Sequence, residues 1–116
     1  MRHWNQWGNV NSEYGMEMGA AGLQPLEALL GPAKGLPDVT LAEVIDKVPA
    51  SRLPEHPLVS LDAEARVRHA RGGSFPDLLA LRSGELGAFP DGVAFPESPE
   101  QVRELLQYAA DNEIAL

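Results

Sequence analysis

Ten prolines and eleven glycines are spread over 116 residues, and they limit what this chain can fold into more than any other feature. Proline fixes φ and lacks a backbone N–H, and glycine weakens helix and strand interiors. Long helices and broad central strands are thereby disfavoured, and short elements separated by turns are expected. With 44% hydrophobic residues the chain can still fill the core of one domain.

The breakers divide the chain into readable pieces. Residues 1–22 hold both tryptophans, Trp4 and Trp7, with no sustained period of 2 or 3.6, and read as an irregular arm whose rings need a surface to cover them. From Gln24, LQPLEALLGP predicts a helix of about two turns with Pro25 in its first turn and Gly31 ending it. In TLAEVIDKVP, Thr40 and Glu43 form a capping box, and Leu41, Val44, Ile45 and Val48 make one apolar stripe before Pro49. PASRLPEHPLVS, residues 49–60, carries three prolines and reads as an extended linker.

Three further helices follow the same capping logic. Asp62 caps LDAEARVRHARGG, with Gly72 or Gly73 as its left-handed stop. Ser74 and Asp77 open SFPDLLALRSGEL, which ends before Gly84. GVAF, residues 92–95, is a short apolar strand ended by Pro96. Ser98 then caps a helix with Pro99 at its first position, Gln101 completing a capping box, and Val102, Leu105, Leu106, Ala109 and Ala110 on one face. Asn112 is the expected residue past the helix end, and Ile114–Leu116 opens a second strand. Strand, helix and strand within about 25 residues form a right-handed β-α-β unit if the strands are parallel.

Charge and composition exclude several functions. A net charge of −8 with pI near 4.7 opposes the electrostatic footprint of nucleic-acid or anionic-membrane binding. The absence of cysteine removes disulfide scaffolds, thiolate metal sites and cysteine nucleophiles. The start has no apolar h-region and no window approaches 18 uninterrupted apolar residues, so a cytoplasmic chain without a transmembrane segment is expected.

Little in the chain spells out an active site. His3, His56 and His69 show no metal-ligand spacing, and Ser51, Ser74 and Ser83 lack a nucleophile-elbow setting. Arg66, Arg68, His69 and Arg71 crowd six positions of an acidic chain. They read either as a dipole-matched helix end or as an anion-binding edge. RGGS, residues 71–74, is likewise open between a helix stop and a phosphate nest.

The wording of several stretches adds what periodicity lacks. RVRHARGG, LRSGEL and PDGVAFP, within residues 60–116, together with the opening RHWNQWG, resemble the N-terminal part of FAD-linked oxidases of the vanillyl-alcohol-oxidase, or PCMH-type, superfamily. The similarity is to the alkylglycerone-phosphate synthase branch and its bacterial relatives. Gln6 departs from that branch, where glycine is usual. The resemblance implies an α+β fold: a helical and irregular N-terminal region, residues 1–87, then the first strand-helix-strand of an FAD-binding domain, residues 88–116, truncated before the Gly-rich loop that holds the FAD pyrophosphate. It implies FAD as the cofactor of the parent enzyme, a small-molecule substrate, and flavin N5 chemistry on a hydroxy acid or on dihydroxyacetone phosphate. Pro96 alone matches a position beside the cofactor-binding strands; ending the strand and freeing Ser98 to cap is the competing role. No catalytic residue or metal ligand is assigned, and the chain alone is expected to be inactive. Homo-oligomerisation is left open, and the alternative reading is a small interaction module that uses an exposed strand edge.

Overall fold

A computed structural model describes residues 1–11, 18–35 and 37–116. Among them the chain is a small mixed α/β protein with five helices and a two-stranded sheet. In order these are α1 (Ala20–Leu30), α2 (Leu41–Ile45), β1 (Val59–Ser60), α3 (Ala63–Arg68), α4 (Phe75–Ser83), β2 (Val93–Ala94) and α5 (Pro99–Asp111). Two compact units interleave along the chain: unit 1 is Met1–Val44 with Arg71–Gly87, and unit 2 is Ile45–Ala70 with Ala88–Leu116.

Unit 1 is organised by α4. The Ser74 hydroxyl accepts the Asp77 N–H while the Asp77 carboxylate accepts the Ser74 N–H, which closes the expected capping box. Gly84 ends the helix in the left-handed conformation at φ 71°, and Leu81 and Leu86 are buried. The Arg82 carbonyl accepts from Val39 N–H at 3.0 Å, and the Arg82 guanidinium meets Asp38 at 3.0 Å. Asn5 also donates to Asp38.

The N-terminal arm is more ordered than its composition suggests. Arg2 and Asn9 form an antiparallel bridge, with His3 N–H donating to the Gly8 carbonyl and Val10 N–H to the Met1 carbonyl. Gly8, at φ 90°, makes the return possible. The Trp7 indole N–H donates to the Gly73 carbonyl at 2.8 Å, yet the residue stays 67% exposed, whereas Trp4 is half-buried, so the expected cover is met for one tryptophan and not the other. Residues 12–17 of the arm lie outside the described residues.

Helix α1 starts at Ala20, four residues before the expected position. No side chain caps it, because Gly19 stands at the N-cap, so the sequence offered no start signal there. Pro25 consequently falls inside the helix rather than in its first turn and costs the bond its missing N–H would make. Gly31, at φ 83°, ends it as expected, with its N–H bonded to the Glu27 carbonyl. None of its residues is buried. In α2 the Thr40–Glu43 box forms and Val44 is fully buried, but the helix stops at Ile45 rather than Val48. Pro49 pushes the preceding residue out of the helical region, and the chain leaves through a tight turn from Val48 N–H to the Ile45 carbonyl.

Unit 2 holds the sheet, and here three expectations are corrected. The segment 49–60 is not only a linker: its last two residues are β1, antiparallel to β2 with Val59 opposite Ala94 and Ser60 opposite Val93. The expected parallel β-α-β does not form. Ile114–Leu116 takes no strand partner among the described residues, and the Ile114 N–H is already bonded to the Ala109 carbonyl at 2.8 Å. That bond, with Glu113 N–H to the Ala110 carbonyl, makes a Schellman close whose left-handed residue is Glu113 at φ 55°, not Asn112. Third, α3 ends at His69, before either glycine: the His69 Nδ1–H reaches back to the Ala65 carbonyl, the acceptor the next helical N–H would use. Gly72 and Gly73 do not adopt positive φ.

The Asp62 cap on α3 forms as expected, accepting Ala65 N–H at 2.8 Å. So does the Ser98 cap on α5, which accepts Gln101 N–H at 3.2 Å. The Gln101 side chain reaches one residue further back than a capping box requires and takes the Glu97 N–H at 2.6 Å. The apolar face of α5 is only half covered. Ala109 is buried and Leu105 and Tyr108 are half-buried, while Val102 and Leu106 remain exposed.

Candidate functional site

Unit 2 holds a cleft of about 580 Å³, within the usual range for small-molecule sites. Its walls follow from the elements above. The cross-strand pair Val59 and Ala94 presents one sheet face, α5 contributes Leu105, Tyr108 and Ala109, and Ile114–Leu116 lines the side where the helix has ended. Gly92 permits the close approach of the wall residues: a Cβ there would lie 2.6 Å from Val59 Cγ1 and 2.9 Å from Leu53 Cδ1.

Two arginines hold the segments that border this cleft. Arg66 is 3% exposed; its Nε donates to the Pro90 carbonyl at 2.7 Å and its Nη1 to the Pro49 carbonyl at 2.8 Å. Its Nη2 is buried without a hydrogen-bond partner. Arg52, on the cleft wall, pairs with Asp91 through Nε and Nη2, and Asp91 also accepts the Arg52 N–H. The Arg52 guanidinium holds the Asp91 carboxyl below the usual carboxylate range, with a lesser contribution from the Arg66 charge, and Asp91 in turn raises Arg52. Asp91 is thus already neutralised, and Glu113 adds a negative charge to the lining. The cleft is an apolar space whose charged side chains carry a net negative charge, not an anion trap.

The basic cluster does not converge. Arg66 is spent on two backbone carbonyls, Arg68 pairs with Glu64 at 2.7 Å, His69 bonds Ala65 and sets its ring edge-on to Phe95, and Arg71 donates to the Leu86 carbonyl. Each is engaged in its own place, so the anion-edge reading loses its donors. RGGS is no open phosphate nest either. The Asp77 carboxylate occupies that position, taking the Ser74 N–H and lying 3.0 Å from where a Gly72 Cβ would stand. The Ser74 hydroxyl lowers Asp77 below the usual carboxylate range.

Pro96 follows β2 and is exposed between Phe95 and Glu97. Its neighbours Phe95, Glu97 and Gln101 border a shallow groove with Pro57–Ser60, on which Pro96 itself makes no wall. Its visible role is the one read from sequence as the competitor: it ends the strand two residues before the Ser98 cap. Among the described residues no group of three or more His, Asp or Glu side chains is placed to hold a metal, and no helix is long and apolar enough to cross a membrane.

No protein-family model, curated protein or solved structure matches the chain. The Arg52–Asp91 pair and the His56–Glu104 contact at 3.4 Å were not singled out from sequence. Arg52 and His56 both lie in the proline-rich stretch, where no periodicity exposes them.

Proposed function

We propose that this chain is the N-terminal part of an FAD-linked oxidoreductase, similar to the alkylglycerone-phosphate synthase branch of the vanillyl-alcohol-oxidase type. In that reading flavin N5 acts on a hydroxy acid or on a dihydroxyacetone-phosphate-type substrate. One observation carries the reading: the stretches that bear the resemblance are bonded to one another. Trp7 of the WNQWG opening donates to the Gly73 carbonyl of RGGS, and Arg66 of RVRHARGG donates to the Pro90 carbonyl of PDGVAFP. Separate short matches arising by chance have no reason to meet pairwise in the fold.

The residues present do not themselves fit FAD. No run of free backbone N–H groups faces an open position at RGGS, Pro96 is exposed, and the Arg52 charge is satisfied by Asp91. The proposal therefore assigns the pyrophosphate contact to residues following Leu116 and gives no residue of this chain a catalytic role. The test is expression of the uninterrupted reading frame that contains this chain beside residues 1–116 alone. Flavin absorbance co-eluting with the long product and a colourless short product are expected. A colourless long product, or a yellow short one, overturns the proposal.

A second reading is favoured by one feature. Among the described residues β2 pairs with β1 on one edge and with no strand on the other, which suits strand addition by a protein partner. A sharp, single oligomer of the short chain on size exclusion supports that module; soluble aggregate counts against it.

A further inference from the structure

The turn that leads into β1 is held by one imidazole. Leu58 N–H donates to His56 Nδ1 at 3.2 Å, and Val59 N–H donates to the His56 carbonyl at 3.0 Å. A ring nitrogen that accepts must carry a lone pair, so the neutral ring bears its proton on Nε2. That nitrogen lies 3.4 Å from Glu104 Oε1 on α5. The ring lies against Tyr108, tilted by 47° with centroids 4.5 Å apart, and the Tyr108 hydroxyl donates to the Pro54 carbonyl at 2.7 Å. The His56 side chain is 12% exposed.

We propose that His56 is a pH-sensitive latch between the 54–59 turn and α5, closed when the ring is neutral and released when Nδ1 takes a proton. Protonation turns Nδ1 from acceptor to donor, so Leu58 N–H then faces another N–H and loses its partner. Glu104, across on α5, faces Nε2, and Glu55 lies on the same segment; the Leu58 N–H bond requires a lone pair on Nδ1. Tyr108 contributes its ring, and its hydroxyl donates to the Pro54 carbonyl rather than to His56. The Leu58 bond exists only while Nδ1 carries its lone pair. Release reaches the cleft, because Leu53, Val59 and Tyr108 all line it.

The test is amide hydrogen exchange followed by NMR on the 116-residue chain, between about pH 8 and about pH 5, which brackets imidazole titration. Protection is expressed against the unstructured chain at the same pH. Protection at Leu58 and Val59 is expected to fall at least about tenfold on acidification, while Leu81 on α4 stays constant. In His56→Asn the Oδ1 accepts the same N–H two residues on, as in an Asx turn, without titrating in this range. Its Leu58 protection is expected to be flat. The imidazole ¹⁵N shifts of the wild-type chain at the upper pH provide an independent reading, with the lone pair expected on Nδ1. Equal losses in wild type and His56→Asn, no loss in either, or the opposite tautomer would each overturn the latch.

Discussion

Arg66, buried on α3, holds the carbonyl of Pro90 at 2.7 Å from a position 24 residues earlier in the chain, and its other bonded nitrogen holds Pro49. One planar side chain thus joins two proline-bounded segments to a helix of only six residues. Both carbonyls accept from a charged donor, the stronger kind of hydrogen bond.

Arg66→Ala is therefore expected to lower unfolding stability by about 2–4 kcal/mol in urea titration, as two carbonyls lose a charged donor. Arg66→Lys restores only part of this, because a single ammonium lacks the planar fork. Arg52→Ala, at a guanidinium 85% exposed, costs much less, and its cost shrinks further with added salt.

Gly92→Ala forces a methyl against Val59 Cγ1, a stiff β-branched neighbour, and is expected to cost about 1–3 kcal/mol. Val59→Ala removes the opposing methyls. The double variant should then lose less than the two single losses added together, and a thermal-unfolding cycle measures the difference. Strict additivity would mean that the contact is not what requires glycine.

Glu113 sits at φ 55°, where an L side chain is strained and glycine is not. Glu113→Gly should stabilise the chain by about 0.5–1 kcal/mol and raise the melting temperature, since the Schellman bonds to Ala109 and Ala110 use backbone atoms alone.

Three carboxyls set the acid limit. Asp77 is lowered chiefly by the Ser74 hydroxyl, Asp91 by the Arg52 guanidinium, and Glu100 by a backbone N–H with help from Arg103. A carboxyl that is more acidic in the folded chain than in the unfolded one stabilises the fold above the ordinary carboxylate range, about pH 4, and loses that contribution as the pH falls through its folded value. Melting temperature should accordingly decline below about pH 4. Asp77→Asn should flatten the decline while lowering the plateau by the lost cap.

What the sequence made legible was local. Thr40 with Glu43, Asp62, Ser74 with Asp77, and Ser98 all act on backbone groups three residues away, and each was read from spacing. What escaped was decided at a distance. β1 was hidden in a proline-rich stretch because its partner, Ala94 opposite Val59, lies far along the chain. Arg66 looked like one of four surface cations, and only tertiary packing gives it two carbonyls. The early start of α1 escaped because Gly19, at its N-cap, has no side chain to announce it. The expected strand at Ile114–Leu116 failed at one N–H already committed to the helix end. Of the cleft, the helix face of Leu105 and Ala109 was foreseen, whereas Arg52 and Asp91 were not.

The interleaving of the two units has a consequence for how this chain can be cut or recombined. Each unit draws on two stretches, and those of one alternate with those of the other. No single cleavage point separates them intact: a break after Val44 strips unit 1 of α4, and a break after Gly87 strips unit 2 of β2 and α5. A crossover or inserted tag between residues 45 and 87 perturbs both bodies at once. Although the chain folds as two bodies, it behaves as one module when it is shuffled, trimmed or fused.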